Sequence, residues 1–171
     1  EEALALIPEQ SGIYFTECPN CETDAQDRAA WRWEPRKPKT LRCPGCDAVY
    51  PNPKYPTTGV LSVAAPEGEH HYPYYARDDG YRLFFEASAD YKAREYMAGT
   101  AQRLGELYLL TGDDAFARRA VLILRRFAED YPGYAYKFDY PFRPKVFVPY
   151  TQNRIKGMST YRTSRWSWWA Y

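Results

Sequence analysis

The sequence contains two matching short motifs, CPNC at residues 18–21 and CPGC at residues 43–46, which hold all of its cysteines. Two cysteines separated by two residues place their thiolates close enough to share one tetrahedral cation, and the second pair completes a four-sulfur shell. This spacing predicts a zinc-ribbon-like module with a structural zinc ion, because four sulfurs leave no open position for water or substrate. Two disulfides are the alternative, for which four cysteines allow three pairings. The predicted metal ligands are Cys18, Cys21, Cys43 and Cys46.

Each motif has a residue in its third position that tolerates a positive φ, Asn20 in the first and Gly45 in the second. We therefore expect a tight turn at each motif, with positive φ at these two positions. Residues 13–58 contain few aliphatic side chains and many prolines and charges. Because such a segment cannot build a core of its own, metal binding is expected to supply about 10 kcal/mol or more of its folding free energy.

Short strands are predicted around both motifs, at residues 13–15, 41–42 and 49–50. Three prolines within residues 51–56 exclude a helix there and predict an extended linker. We therefore predict a first domain over residues 1–58, made of the zinc-ribbon-like module with its lead-in and this proline-rich exit.

Residues 59–65 and 81–85 have the composition of strands. Between them, His70 and His71 are predicted to lie in a solvated loop. Adjacent side chains of an extended chain point to opposite sides, so these two histidines make a poor metal-binding pair.

The strongest secondary-structure signal is a helical hairpin, with helices predicted at about residues 90–110 and 114–130. Apolar residues recur every three or four positions in both helices. Gly112 suits the left-handed position after the first helix, and Asp113 is a good N-cap for the second. Further apolar side chains widen the stripe of the second helix, so we expect the hairpin to be covered by more protein. The predicted core-facing residues are Met97, Ala101, Leu104, Tyr108, Phe116, Ala120, Leu124 and Phe127.

The C-terminal stretch, residues 131–171, contains seven basic residues, one acid and many aromatic rings. Arginine forks bind carboxylates and sulfates, and flat rings suit sugar faces. This combination predicts contacts with an acidic polysaccharide. Single-stranded nucleic acid, or structural pairing with acids elsewhere in the chain, are the alternatives. The predicted substrate-binding residues are Arg154, Arg162, Arg165, Trp166 and Trp168.

The whole chain is close to neutral, with 23 Lys and Arg against 22 Asp and Glu. A ribbon that grips nucleic-acid phosphates should be far more basic than residues 13–58, where seven basic residues face six acidic ones. No run of about 18 or more apolar residues is present, so no transmembrane helix is predicted. No signal peptide is visible either. We therefore expect neither nucleic acid nor a membrane as the partner.

The helical hairpin also resembles a known family. The sequences QRLGELYLLTGD at residues 102–113, AFA at residues 115–117 and FAEDYPGY at residues 127–134 are similar to the early helical pair of the heparinase II/III-like polysaccharide lyases. Some members of that family look similar at the N-terminus too, with a CPxC…CPxC module ahead of the helices. Residues 162–169 resemble the start of the following helix there. The resemblance covers about residues 14–171.

The resemblance implies a mainly α fold, in which residues 59–171 form the N-terminal part of an incomplete α/α toroid. It also implies β-elimination on a uronic-acid polysaccharide, in which a Tyr or His base removes the C5 proton while Asn, His or Arg neutralises the carboxylate. None of these catalytic residues matches a position in this chain. We therefore expect them in the remainder of the enzyme or in another subunit. A polymeric substrate implies a periplasmic or extracellular location.

Two other functions stay open on the sequence. A non-catalytic carbohydrate-binding or scaffold protein could be built from the same elements, and a zinc-ribbon nucleic-acid binder is the further alternative. A lyase requires catalytic Tyr, His and Asn residues from a longer chain or a second subunit, whereas the carbohydrate-binding or scaffold protein does not.

Overall fold

A computed structural model describes most of the first 134 residues and two short strands beyond them. The described residues are 2–10, 12–13, 16–21, 31–65, 68–78, 82–134, 147–149 and 161–163. The strands are β1 (Leu41–Arg42), β2 (Val49–Tyr50), β3 (Gly59–Ala65), β4 (Gly68–Ala76), β5 (Arg82–Leu83), β6 (Phe147–Pro149) and β7 (Tyr161–Thr163). The helices are α1 (Phe85–Thr111) and α2 (Asp114–Asp130), with short 3-10 helices at Glu2–Leu6 and Tyr131–Gly133.

The strands form small antiparallel sheets. β1 pairs with β2, β4 lies between β3 and β5, and β6 pairs with β7. In the β3–β4 register Val63 lies opposite His70, and the neighbouring pair Ser62 and His71 points to the other face. Val63 is buried, whereas Ser62 and His71 are exposed. One face of this sheet therefore contributes to the core and the other faces solvent.

The first third of α1 is buried almost all round, because it packs on β4 and β1. Small residues make this close packing possible, and the N-terminal segment approaches most closely at Gly12. A Cβ atom on Gly12 would overlap the backbone of Tyr91 and lie 2.7 Å from the carbonyl oxygen of Ala87. The next residue, Ile13, donates its N–H to that carbonyl at 2.9 Å. The segment that leads into the first cysteine motif is thus fixed to α1.

The predicted turn between the helices is confirmed. Gly112 has a φ of 70° and ends α1, and the Asp113 carboxylate accepts a hydrogen bond from the Ala115 N–H at 2.8 Å. The second helix begins and ends at the predicted residues. The first begins at Phe85 rather than near residue 90.

The hairpin buries only part of its predicted stripe. Ile7 from the N-terminal segment packs with Met97, Ala101 and Ile123 to form a small cluster. Leu124, predicted to face the core, is exposed, and Ile123 takes that place. Several apolar side chains of the hairpin remain exposed among the described residues, and they are Leu107, Tyr108, Leu109, Leu110, Val121, Leu122 and Leu124.

The prediction of a mainly α fold that starts an incomplete α/α toroid is wrong. The described residues form a small mixed fold in which antiparallel sheets pack with two helices. The loop predicted at His70 and His71 is also wrong, because both residues lie in β4. Strands that line a core usually alternate apolar and polar residues. In β4 this alternation is hard to recognise from the sequence, because polar side chains occupy both its start and its solvent face, although Tyr72 lies in the core.

The main core cluster contains side chains from both sides of the domain boundary predicted at residue 58. Ile13, Leu41 and Tyr50 lie before that boundary, and Tyr72 and Phe85 lie after it. The division into two domains stays a prediction. The residues after α2 also contact the N-terminal segment. Tyr134 is fully buried, and its hydroxyl donates a hydrogen bond to the carbonyl of Pro8 at 2.8 Å.

Candidate metal centre

The four predicted ligands converge on one point. Their sulfur atoms all lie within 4.8 Å of one another. The distance is 3.5 Å from Cys18 to Cys46 and also from Cys21 to Cys43, so each of these pairs joins the two motifs. In a tetrahedral shell with metal–sulfur bonds of about 2.3 Å, neighbouring sulfurs lie about 3.8 Å apart. The thiols are free, so the disulfide alternative is not formed. The cluster could hold one metal ion.

The second motif is shaped by backbone hydrogen bonds around Cys43. Its carbonyl accepts from the N–H of Asp47 at 3.1 Å, and its sulfur accepts from the N–H of Gly45 at 3.3 Å. The predicted positive φ at Asn20 and Gly45 is wrong. The non-glycine residue with positive φ in the described part of the chain is Asp47, at 56°. The chain reverses there because β2 must turn back to pair with β1.

Tyr50, at the end of β2, connects the four-cysteine cluster to the helices. Its side chain is fully buried, and its hydroxyl lies 3.0 Å from the Cys18 sulfur. Its ring stacks on Phe85, the first residue of α1, with ring centroids 4.5 Å apart, and meets the edge of Trp31 at 5.9 Å. The sequence predicted the strand but not this contact. The available signal was a tyrosine close after the second motif, because a buried hydroxyl needs a hydrogen-bond partner.

The environments of two ligands set their pKa values in opposite directions. Burial raises the pKa of the Cys18 thiol to about 12, although the Tyr50 hydrogen bond acts the other way. Hydrogen bonds from the side chain of Asn20 and the backbone of Ala48 lower the pKa of Cys46. Metals bind the thiolate form, so a bound cation must displace a proton that Cys18 otherwise retains at neutral pH.

A mostly buried ion pair holds the first motif against the larger sheet. The Arg77 guanidinium, just after β4, lies 3.1 Å from the carboxylate of Glu17, the residue before Cys18. This pair, together with Tyr50, ties the cysteine cluster to both the sheet and α1.

Of the five predicted substrate-binding residues, one lies in the described part of the chain, so their grouping stays a prediction. Arg162 lies in β7, where its backbone is paired with Val148 of β6. The other residues lie outside the described residues, and they are Arg154, Arg165, Trp166 and Trp168.

The fold also forms a polar cleft that no sequence pattern indicates. It is lined by Lys39, His70, Asp90 and Arg126, which are far apart in the chain. Local sequence patterns cannot predict this grouping, because the residues come together only when β4 and the two helices pack.

Comparison of the chain with protein-family models, curated proteins and solved structures found no match. The lyase resemblance therefore stays a prediction. No helix in the described ranges is both long and apolar enough to cross a lipid bilayer. Fold and site together define a small mixed α and β fold with a four-cysteine cluster that could bind a metal ion.

Proposed function

We propose that the four cysteines hold one structural zinc ion. The observation that carries this proposal is the convergence of four free thiols from two separate motifs to within 4.8 Å of one another. Soft thiolate ligands in a tetrahedral arrangement favour zinc among common biological cations, with iron as the competitor. Four sulfurs complete the shell, so the ion stabilises the fold and does not take part in chemistry.

The zinc ion would fasten a segment with little secondary structure of its own. β1 and β2 have two residues each, too few to form a stable hairpin without help. The ion would link residues 18–21 to residues 43–46. Tyr50 connects these motifs to α1, because its hydroxyl contacts the Cys18 sulfur and its ring stacks on Phe85. Metal loading should therefore stabilise the packing of α1 as well as the cysteine motifs.

Elemental analysis of the purified chain should give one zinc ion per chain. A chelator should then expose the amides of residues 41–50 to hydrogen exchange, and Cys43→Ser should have the same effect without a chelator. Thr57→Ala, an exposed change in the same segment, is the matched control and should leave exchange unchanged. Stoichiometric iron would replace zinc in this proposal, and metal-free protein with intact structure would contradict it.

We further infer that the chain is the N-terminal part of a polysaccharide lyase that acts by β-elimination on a uronic-acid polysaccharide. The similarity of residues 102–134 to the early helical pair of heparinase II/III-like lyases supports this function, as does the four-cysteine module ahead of it. The exposed apolar side chains of the hairpin support a larger assembly, since Leu109 and Leu110 are 82% and 83% exposed. The remainder of the enzyme or another subunit would cover these side chains and supply the catalytic base.

In this proposal the C-terminal stretch binds the polymer. Arginine side chains would pair with uronate carboxylates, and tryptophan rings would pack on the sugar faces. The contact residues would be Arg154, Arg162, Arg165, Trp166 and Trp168. An acidic polymer is met outside the cytoplasm, which agrees with a periplasmic or extracellular location.

Binding to immobilised polygalacturonate tests the substrate class. We expect retention that weakens as salt is added, because it depends on exposed charges. Arg165→Ala should weaken it, whereas Arg118→Ala, which removes an exposed arginine from α2, should not. Equal retention on neutral dextran would exclude the arginine–carboxylate account.

Product formation tests the reaction. The whole protein should release unsaturated uronic ends, detected by their ultraviolet absorbance, and these 171 residues alone should release none. Binding without product from the whole protein would favour the non-catalytic carbohydrate-binding function instead.

A further inference from the structure

A basic pocket lies beside the strands β1 and β2. Its volume is about 300 Å³, at the small end of the range of about 300–1,000 Å³ that small-molecule sites occupy. The charged residues among those described that line it are Arg32, Glu34, Lys37 and Arg42, three cations and one acid. All four are exposed. The pocket is therefore accessible to a ligand from solvent and carries a positive charge.

The backbone holds two of these cations side by side. Arg32 and Arg42 form a β-bridge, in which the N–H of each donates to the carbonyl of the other at 3.0 and 2.9 Å. Residues directly opposite each other in such a pair project their side chains from the same face. Val49, which pairs with Arg42 from β2 and also lines the pocket, continues this row. Like charges directly opposite each other are destabilising, so a bound anion would relieve a repulsion that the fold maintains.

One of the three cations is left without a carboxylate partner. The carboxylate of Asp47 lies 3.1 Å from Arg32, and that of Glu34 lies 3.6 Å from Lys37. The Arg42 guanidinium instead donates to the backbone carbonyl of Asp47 at 3.3 Å, and no carboxylate in the described part of the chain pairs with it. Three cations and two acids leave one surplus positive charge. This surplus suits a single anionic group, whereas a nucleic acid would need a row of cations.

The two existing ion pairs can give way to a ligand. The side chains of Arg32 and Asp47 are 63% and 67% exposed, and those of Lys37 and Glu34 are 62% and 56% exposed. Ion pairs this accessible to water contribute little to stability. An anion could therefore take over both cations without a large loss elsewhere.

The walls of the pocket are held in place by hydrogen bonds. The carbonyl of Lys37 accepts from both the N–H and the hydroxyl of Thr40 at 3.0 Å. The indole N–H of Trp33 donates to the carbonyl of Pro38 at 2.9 Å, and its ring lies 5.4 Å from that of Tyr96 in α1. Because these segments are already ordered, a ligand would not have to supply the cost of ordering them.

We propose that this pocket binds one tetrahedral oxyanion, a phosphate or sulfate group, either free or carried on a small organic molecule. Its three or four oxygens would accept from Arg32, Lys37 and Arg42 together, whereas a planar carboxylate offers only two oxygens. Trp33 and Val49 would contact an organic substituent. This inference goes beyond the proposed function, because none of these residues belongs to the four-cysteine cluster or to the C-terminal stretch.

The test is an NMR titration of the full chain with inorganic phosphate, sulfate and acetate. Sodium chloride keeps the ionic strength constant, because general screening would otherwise shift the resonances of exposed charges. Phosphate and sulfate should shift the side-chain N–H resonances of Arg32 and Arg42 with a dissociation constant of about 1 mM. Acetate should bind at least about tenfold more weakly. No shifts up to about 20 mM phosphate, or acetate binding as tight as that of phosphate, would overturn the proposal.

Phenyl phosphate distinguishes the two sources of the oxyanion. Tighter binding of phenyl phosphate than of inorganic phosphate would assign the site to an ester, and equal or weaker binding would assign it to the free ion. Neither zinc content nor polysaccharide cleavage is measured in these titrations. The proposals for the cysteines and for the lyase can therefore fail or succeed independently of this one.

Substitutions locate the site. Arg42→Gln should weaken phosphate binding by about tenfold or more, because it removes the cation that has no carboxylate partner. Arg36→Gln is the matched control, since it removes an exposed arginine of the same segment that does not line the pocket, and binding should be unchanged. Equal weakening by both changes would show a general attraction of anions and refute the site. Circular dichroism identifies a variant that fails to fold, and the map of shifts in the unsubstituted chain then decides alone.

Discussion

The change Tyr50→Phe removes one hydroxyl group beside the metal centre and keeps the ring that packs on α1. With a metal ion bound, Cys18 would be a thiolate that can only accept, and the Tyr50 hydroxyl, whose oxygen lies 3.0 Å from the sulfur, would donate to it. The ring contacts with Phe85 and Trp31 do not involve the hydroxyl and should persist. The substitution therefore isolates the hydrogen bond from the packing.

Two independent magnitudes agree on the expected effect. A hydrogen bond to a charged group contributes about 1.5–3 kcal/mol. Loss of a partner that hydrogen-bonds a metal ligand costs about 10–100-fold in metal affinity, which corresponds to about 1.4–2.8 kcal/mol. Tyr50 is fully buried, so water cannot replace the lost donor and the upper half of this range applies.

Competition with a chromophoric chelator measures the zinc affinity, and thermal unfolding with and without zinc measures the stability. Tyr50→Phe should lower the affinity by about 30-fold or more, and most of its stability loss should vanish once zinc is removed. Tyr55→Phe is the control, because this neighbouring ring lies 5.8 Å from that of Tyr50 and is only partly buried. If both variants bind zinc as the unsubstituted chain does, the hydroxyl has no role at the metal.

Three further changes test the fold. Gly12→Ala should cost about 1–3 kcal/mol in urea unfolding, because its Cβ would overlap the backbone of α1. Gly105→Ala, with open space around its position in α1, should instead raise the stability by about 1 kcal/mol, because alanine is the better helix former. Asp113→Ala should cost about 1 kcal/mol, because it removes the cap of α2. A thermal melting curve of the helical circular-dichroism signal that matches that of the unsubstituted chain would contradict this. Asp90 has a raised pKa in the folded state, so its ionisation lowers stability as pH rises from about 4 through that pKa. Asp90→Asn should lack this decline, and parallel stability curves for the two proteins would exclude the effect.

Local patterns predicted the features that depend on neighbouring residues. The spacing of the cysteines gave the cluster, and Gly112 with Asp113 gave the turn between the helices, because their conformations are set within a few positions of the chain. The strands at residues 41–42, 49–50 and 59–65 follow from composition in the same way.

Features that depend on distant contacts were not predicted. α1 begins at Phe85 without a side-chain cap, because burial against β4 and β1 replaces the usual start signal. β4 carries histidines and a glutamate that suggest a loop, and only its pairing with β3 shows which face is buried. The cleft at His70 and Asp90 requires the finished fold, so no sequence pattern could reveal it.

The hydrogen bond from Tyr134 to Pro8 has a consequence for synthesis on the ribosome. The two residues are 126 positions apart, so the Pro8 carbonyl cannot form this hydrogen bond until the whole intervening chain has been translated. At roughly 10–20 residues per second the delay is on the order of 10 s. For most of this interval Ile7 also lacks its partners Met97, Ala101 and Ile123, and a chaperone that binds short apolar segments would find it accessible. The N-terminal segment of the nascent chain therefore stays unprotected until both helices have emerged.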